Sequence, residues 1–243
     1  MKRKHKYADR PQGIDVSHHN GSIDWKKVKA SGVEFVFIKA SEGGTYQDPT
    51  FKRNWQAAKA AGLLRGAYHF FRPGVSVAKQ VANFTAAVGN LEPGDLPPVL
   101  DVENPVLWEG LSPKTSADMS IAWMDAVEKQ FGLKPIVYAG FYFIRDTLGA
   151  DGRLAAYPLW LAQYRKNDPN VPKPYSTWTF WQYTESGRCD GITGNVDRNY
   201  FNGSSADLQK LTKAAAATGS QTASTKKKRR RRGKGSKVLK PAS

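Results

Sequence analysis

Short apolar runs alternate with helical patterns over the first two thirds of the chain. Gly13 to Ser17, Phe35 to Ser41 and Leu64 to Phe71 read as strands, with β-branched and aromatic residues gathered between polar breaks. Asp24 to Ala30 reads as a short helix, Phe51 to Ala61 as a longer one closed by Gly62, and Ser76 to Val88 as a third. A fourth strand climbs through Val99, Leu100, Asp101, Val102 and Glu103 and stops at Asn104-Pro105. Ser112 to Phe131 is the longest helical pattern, with Ser112 and Pro113 placed for the N-cap and first turn and Gly132 as its stop. Pro135 to Gly140 is a fifth strand. This βα alternation predicts a parallel sheet with helices outside it.

The last third changes character. Leu159 to Tyr164, Thr179 to Thr184 and Asn195 to Phe201 read as strands, separated by segments rich in Pro, Gly, Asn and Asp that hold no amphipathic helix. Five βα units followed by three strands make eight, enough to close a barrel. The predicted fold class is α/β, an irregular TIM-like barrel.

Strand alternation then sorts the acids. Leu100 and Val102 oppose Asp101 and Glu103, Ile14 and Val16 oppose Asp15, and Val196 opposes Asp197. If the apolar positions pack on the helices, Asp15, Asp101, Glu103 and Asp197 all point inward. The expectation places them near the C-terminal ends of their strands, where barrel enzymes hold their chemistry. Packing alone does not call for four inward carboxylates. A charged acid raises the pKa of its neighbour, which supplies a general acid at neutral pH, and glycosidic cleavage uses such pairs.

Composition removes several alternatives. The chain has 243 residues, a length that fits one large barrel, and its 7 Trp, 10 Tyr and 11 Phe suit either core packing or carbohydrate platforms. The single Cys189 excludes an internal disulfide framework and any cysteine-based metal cluster. His5, His18, His19 and His69 lack a metal-ligand spacing, so neither a metal nor a cofactor is expected. His18 and His19 read as solvated loop residues, and Gly43-Gly44 as a turn, since no Gly-Lys-Ser/Thr follows. No segment reaches the roughly 18 apolar residues that span a membrane. The basic start, Met1 to Lys6, is not followed by an apolar run, so no signal peptide is expected and the export route is left open.

The formal net charge of +16 is concentrated at the ends. Residues 226–240 carry ten Lys and Arg and no acid, and the first ten residues carry a net +4, which leaves +2 for residues 11–225. The expected organisation is a basic segment over 1–11, a barrel over 12–218 and a disordered basic tail over 219–243. A basic tail without a nucleic-acid-binding fold predicts no specific nucleic-acid partner.

Several stretches carry a family resemblance in order along the chain. They are Gly13-Ile-Asp-Val-Ser17, Phe37-Ile-Lys-Ala-Ser-Glu-Gly43, Tyr46-Gln-Asp-Pro-Thr-Phe51, Gly66-Ala-Tyr-His-Phe70, Leu100-Asp-Val-Glu103, Trp160-Leu-Ala-Gln-Tyr164, Trp181-Gln-Tyr183 and Val196-Asp-Arg-Asn199. Over residues 12 to 202 the chain resembles the family-25 glycoside hydrolases, the lysozyme-type muramidases. The resemblance implies a barrel of five βα units plus three strands. It also implies hydrolysis of the β-1,4 bond between N-acetylmuramic acid and N-acetylglucosamine in peptidoglycan, hence action at the bacterial cell wall, by a monomer. Glu103 is then the expected general acid and Asp101 its acidic neighbour, orienting the substrate's 2-acetamido group or stabilising a cationic intermediate. Asp15 and Asp197 are expected to raise the Glu103 pKa, bind sugar hydroxyls or position a water. Inversion and acetamido assistance are both open at this point. Tyr68, Tyr138, Trp160 and Tyr164 are candidate sugar platforms, and Lys39 a candidate partner of the acidic cluster and of substrate.

Two other readings compete. A non-catalytic wall-binding barrel would not need all four acids. A chitinase-like barrel also ends a strand in D-x-E, but its fuller motif has an Asp where this chain has Val99. The tail is expected to hold the enzyme on an anionic surface, whether wall polymer or phospholipid, with each Lys or Arg near a membrane contributing about 1 kcal/mol. Deleting residues 221–243 should leave hydrolysis of small soluble glycans unchanged and weaken retention on whole cells at low salt, with the difference shrinking at high salt. Equal retention of both forms at low salt would rule out a targeting role.

Overall fold

The first strand pairs in parallel with the second and in antiparallel with the last, and these two ladders close the sheet. The structure is a computed structural model that describes residue 7 and residues 9–214. The expectation for residues 226–240, and most of that for 1–11, lies outside the described residues. The strands are β1 (Gln12–Val16), β2 (Val33–Glu42), β3 (Tyr46–Gln47), β4 (Leu64–Phe70), β5 (Val99–Asp101), β6 (Ile136–Gly140), β7 (Leu159–Ala162), β8 (Phe180–Gly187) and β9 (Val196–Phe201). Around the barrel the order is β1-β9-β8-β7-β6-β5-β4-β2 and back to β1, while β3 pairs only with the end of β2.

Helices α1 (Trp25–Ala30), α2 (Phe51–Ala60), α3 (Val77–Val88) and α4 (Pro113–Phe131) follow the first four barrel strands. Their ends obey local chemistry. Asp24 accepts a hydrogen bond from the Lys27 N–H and Ser112 from that of Thr115, and Gly132 ends α4 in the left-handed conformation at φ 68°. The fifth crossover holds only a π-turn at Phe143–Thr147 and a 3₁₀ turn at Gly152–Ala156. A short α5 (Ser205–Lys210) follows β9.

Alternation along the strands divides the core in two. Ile14, Val36, Ile38, Leu100, Val137, Leu161 and Val196 face outward and pack with Trp55, Phe84, Trp123 and Val127 of the helices. Phe35, Phe37, Val99, Ile136, Tyr138, Trp160, Phe180 and Phe201 fill the barrel, with Leu96 and Leu208 in the same cluster. So many rings fit only because glycine stands opposite two of them. A Cβ on Gly13 would lie 2.2 Å from Phe35 Cε2, and one on Gly66 would lie 2.6 Å from Phe37 Cδ1.

Two local expectations are corrected. Strand β5 ends at Asp101, so Glu103 stands two residues past it; the Val102 N–H still bonds the Tyr138 carbonyl at 3.0 Å, which carries the extended course on to Glu103. Asp197 is not at the C-terminal end of its strand. Strand β9 runs antiparallel to both neighbours, so its second residue reaches the mouth where the other strands end. The link from Gly187 to Val196 is too short for the crossover of a dozen or more residues that a parallel strand needs.

The interior packing makes a test at Gly13. Overpacking a filled core typically costs about 1–3 kcal/mol, so Gly13→Ala should lose stability of that order in denaturant titration, whereas a change below about 0.5 kcal/mol would show that Phe35 yields freely.

Candidate active site

At the mouth of the barrel the inward positions turn from aromatic to polar. Asp15, Tyr68, Asp101, Glu103, Tyr138, Trp160, Tyr164, Gln182, Glu185 and Asp197 line a bowl of about 210 Å³. All four acids expected from the sequence are thus brought together. Asp15 and Asp197 are directly opposite one another across the β1–β9 ladder, and Asp101 closes β5 beside Tyr138 of β6.

Asp15 is held by amides. The Gln182 Nε2 donates to both of its oxygens at 3.1 and 3.0 Å, and the Asn199 Nδ2 to Oδ2 at 2.7 Å. Each amide is oriented in turn. The Trp160 indole N–H donates to Asn199 Oδ1 at 2.8 Å, and the Tyr138 and Tyr164 hydroxyls donate to Gln182 Oε1 at 2.8 and 3.0 Å. Asp101, only 6% exposed, has no hydrogen-bond partner among the described residues at its buried Oδ1.

Asp15, Asp101, Glu103 and Asp197 are all pushed up. Burial raises Asp101 well above the usual carboxylate range, and the charge of Glu103 adds to it. Burial also raises Glu103, followed by the charge of Asp15, with Lys39 opposing. Asp197 is pushed up to about 9 by burial, then by the charge of Asp15 and a hydrogen bond to it. Burial raises Asp15 as well, while the bonds from Asn199 and Gln182 pull it down. Tyr68 and Tyr138 are raised well above 10 by burial and the surrounding carboxylates, so both stay neutral phenols.

The four aromatic candidates divide. Trp160 is 2% exposed, stacked on Phe37 at 4.4 Å and edge-on to Tyr138, so its face is not open to a sugar. Tyr138 is buried too, and both rings offer their polar groups to the amides instead. Tyr68 lines the bowl half-buried, and Tyr164, 50% exposed, presents an open ring. Lys39 is not among the residues lining the bowl. Its Nζ binds Glu42 at 2.6 Å and lies over the Phe70 ring, and Arg72 holds the other Glu42 oxygen. Burial pushes Glu42 up, but the bonds from Lys39 and Arg72 outweigh it and hold the carboxyl below its ordinary value. His18 is half-buried rather than freely solvated, bound through Nδ1 to Asp48 at 2.9 Å.

Beside the bowl lies an apolar groove of about 270 Å³, lined by Pro105, Gly140, Phe143 and Ala162 and sharing Glu103, Tyr138 and Tyr164 with it. The groove continues past Phe141 and Tyr142. Glu103 therefore stands where the acidic and apolar compartments meet.

Sequence reasoning missed Gln182, Asn199 and Glu185. Period-two alternation from Phe180 and from Asp197 would have found the two amides. Glu185 follows register shifts in β8, where alternation breaks down.

An eight-stranded barrel with inward acids at its mouth and a cleft running past them fits a glycoside hydrolase. The profile of Glycosyl hydrolases family 25 matches residues 14–192, and the chain belongs to that family. It is 43% identical to the protein YegX of Escherichia coli K12 over 85% of this chain and 75% of that one. It is 39% identical to Lysozyme M1 of Streptomyces globisporus over 84% of this chain and 72% of the relative. The solved lysozyme of Streptomyces coelicolor superposes with a TM-score of 0.80 at 39% identity, covering 83% of this chain and 96% of its own. The protein is accordingly a hydrolase of the lysozyme class.

The raised carboxyls set a pH dependence of stability. Each folded-state pKa lies above its unfolded value, so the folded protein binds more protons and loses stability as pH rises from about 4. The loss continues through the folded values, which for Asp197 means to about 9. Asp101→Asn removes one buried charge. Its Tm should exceed that of the parent at about pH 8, with the advantage vanishing toward about pH 4, as scanning calorimetry would show. Equal Tm values across that range would mean that Asp101 carries no such strain.

Proposed function

We propose that the protein cleaves the β-1,4 bond between N-acetylmuramic acid and N-acetylglucosamine in peptidoglycan, acting at the bacterial cell wall, with Glu103 as the general acid. The observation that carries this reading is the placement of Glu103. It borders both the acidic bowl and the apolar groove, its pKa is raised by burial and by Asp15, and no described side chain hydrogen-bonds its carboxyl. A protonated acid with a free O–H facing a cleft is ready to protonate a leaving glycosidic oxygen. The lysozymes among its relatives support the choice of bond.

The remaining groups take roles from their surroundings. The Asp101 carboxyl, which lines the bowl beside Glu103, suits the N–H of a 2-acetamido group, which would turn the acetamido oxygen toward the anomeric carbon. The charge on Asp15 stabilises positive character developing on the sugar ring. Tyr164 offers its open face as a platform beside Glu103, and the groove past Phe143 holds further sugar units. The basic stretch at 226–240 supplies attraction to anionic surface polymers or lipids.

Glu103→Gln should fold as the parent does and lose about 10²–10⁴ in rate on peptidoglycan. Parent-like turnover by the folded variant would remove Glu103 from the mechanism. Mass spectrometry of the parent's digest should find muramic acid at the new reducing end, and glucosamine ends there would overturn the bond assignment.

A further inference from the structure

We propose that Gln182 and Asn199 are positioning residues that place the shared proton of the Asp15–Asp197 pair on Asp197, keeping Asp15 charged beside Glu103. Two carboxylates directly opposite on paired strands repel, so one proton between them is the stable arrangement. The neighbours decide which of the two holds it. Three N–H···O contacts converge on the two Asp15 oxygens. A carboxylate has about four acceptor positions, and the Asp197 O–H takes the remaining one. With the proton on Asp15 these donors would face a neutral acid, whose oxygens accept more weakly than those of a carboxylate. Asp197 receives no N–H from any described residue, and its hydrogen-bond partner is Asp15.

Asn199 cannot reverse to suit the other arrangement. An indole N–H only donates, so Trp160 fixes Oδ1 of Asn199 on its own side and turns Nδ2 to Asp15. The phenols of Tyr138 and Tyr164 can donate or accept, so Gln182 is set by Asp15 itself, because reversal would turn its oxygen against a carboxylate. Titratable groups reach the pair from every side. Tyr68 comes from β4, Asp101 and Glu103 from β5 and its extension, Tyr138 from β6, Tyr164 from beyond β7 and Glu185 from β8. Lys39 on β2 is the cation that acts on Asp101 and Glu103. The phenols are raised and stay neutral, so carboxyls alone exchange protons near neutral pH. The upward push on Asp197 to about 9 agrees with the same assignment.

The kinetic consequence rests on Glu103 being the proton donor. The location of the proton does not. A charged Asp15 favours the protonated form of Glu103 and extends activity to higher pH. Without the amide donors the proton moves toward Asp15, and Glu103 deprotonates earlier.

The test begins with the full-length protein carrying isotope-labelled aspartate carboxyls. These are followed by NMR through a pH titration, with resonances assigned through Asp15→Asn and Asp197→Asn. At about pH 7 Asp15 should show the carboxylate shift and Asp197 the acid shift. An acid shift on Asp15, or two ionised carboxyls, would overturn the proposal, and this measurement needs no substituted protein to fold beyond those used for assignment. Gln182→Met and Trp160→Phe should then move the proton toward Asp15. They should also shift the alkaline limb of the kcat/KM profile on soluble glycan downward by about one pH unit. A changed Tm with unmoved carboxyl titrations would mark the amides as merely structural and also overturn it. Failure of the parent to cleave glycan would overturn the proposed function while leaving the NMR result to decide this one.

Discussion

Asp15 and Asp197 meet on the ladder that closes the barrel, and the closure is possible only if their repulsion is resolved. The resolution reaches well beyond the pair. The amides that hold Asp15 come from β8 and β9, and the groups that orient those amides come from β6, β7 and the segment just after β7. Five of the eight barrel strands thus contribute to the state of one proton. A slip of one residue in any of them would turn the donor outward, so the register of half the barrel and the electrostatics of the mouth are a single constraint.

The division of the interior follows from the same geometry. Below the bowl, rings from β2, β7, β8 and β9 pack without polar atoms to satisfy, apart from the Trp160 and Tyr138 groups that point up into the network. Above them the protein accepts buried acids whose charged forms are disfavoured, including one Asp101 oxygen without a partner. That oxygen is shut off from the bowl as well as from donors among the described residues, which makes the mouth a place of stored electrostatic strain.

Much of this was legible in the sequence because period-two and period-3.6 patterns are written by burial. The eight strands, the four long or capped helices and the inward direction of Asp15, Asp101 and Asp197 all follow from which neighbours are apolar. What escaped has physical reasons. Strand direction leaves no mark in alternation, so Asp197 is expected at the C-terminal end of its strand although the brevity of the connection before β9 speaks for an antiparallel course. Gln182 and Asn199 carry no charge, so nothing in Trp181-Gln-Tyr183 or Val196-Asp-Arg-Asn199 marks them apart from the many surface amides of the chain. Trp160 looked like an open ring because sequence gives its face of the strand but not the Phe37 stacked upon it.

The reversal of β9 also decides where the chain leaves the barrel. Had the last strand run with the others, its end would open into the cleft, and anything attached there would compete with a long glycan for space. Because it runs back instead, Phe201 and α5 are delivered to the closed base, where Lys213 is tied to Gly94, Asp95 and the Phe131 carbonyl. Ala214, the last described residue, therefore lies at the opposite pole from the cleft, and a contact made at that pole leaves the mouth open to a long polymer.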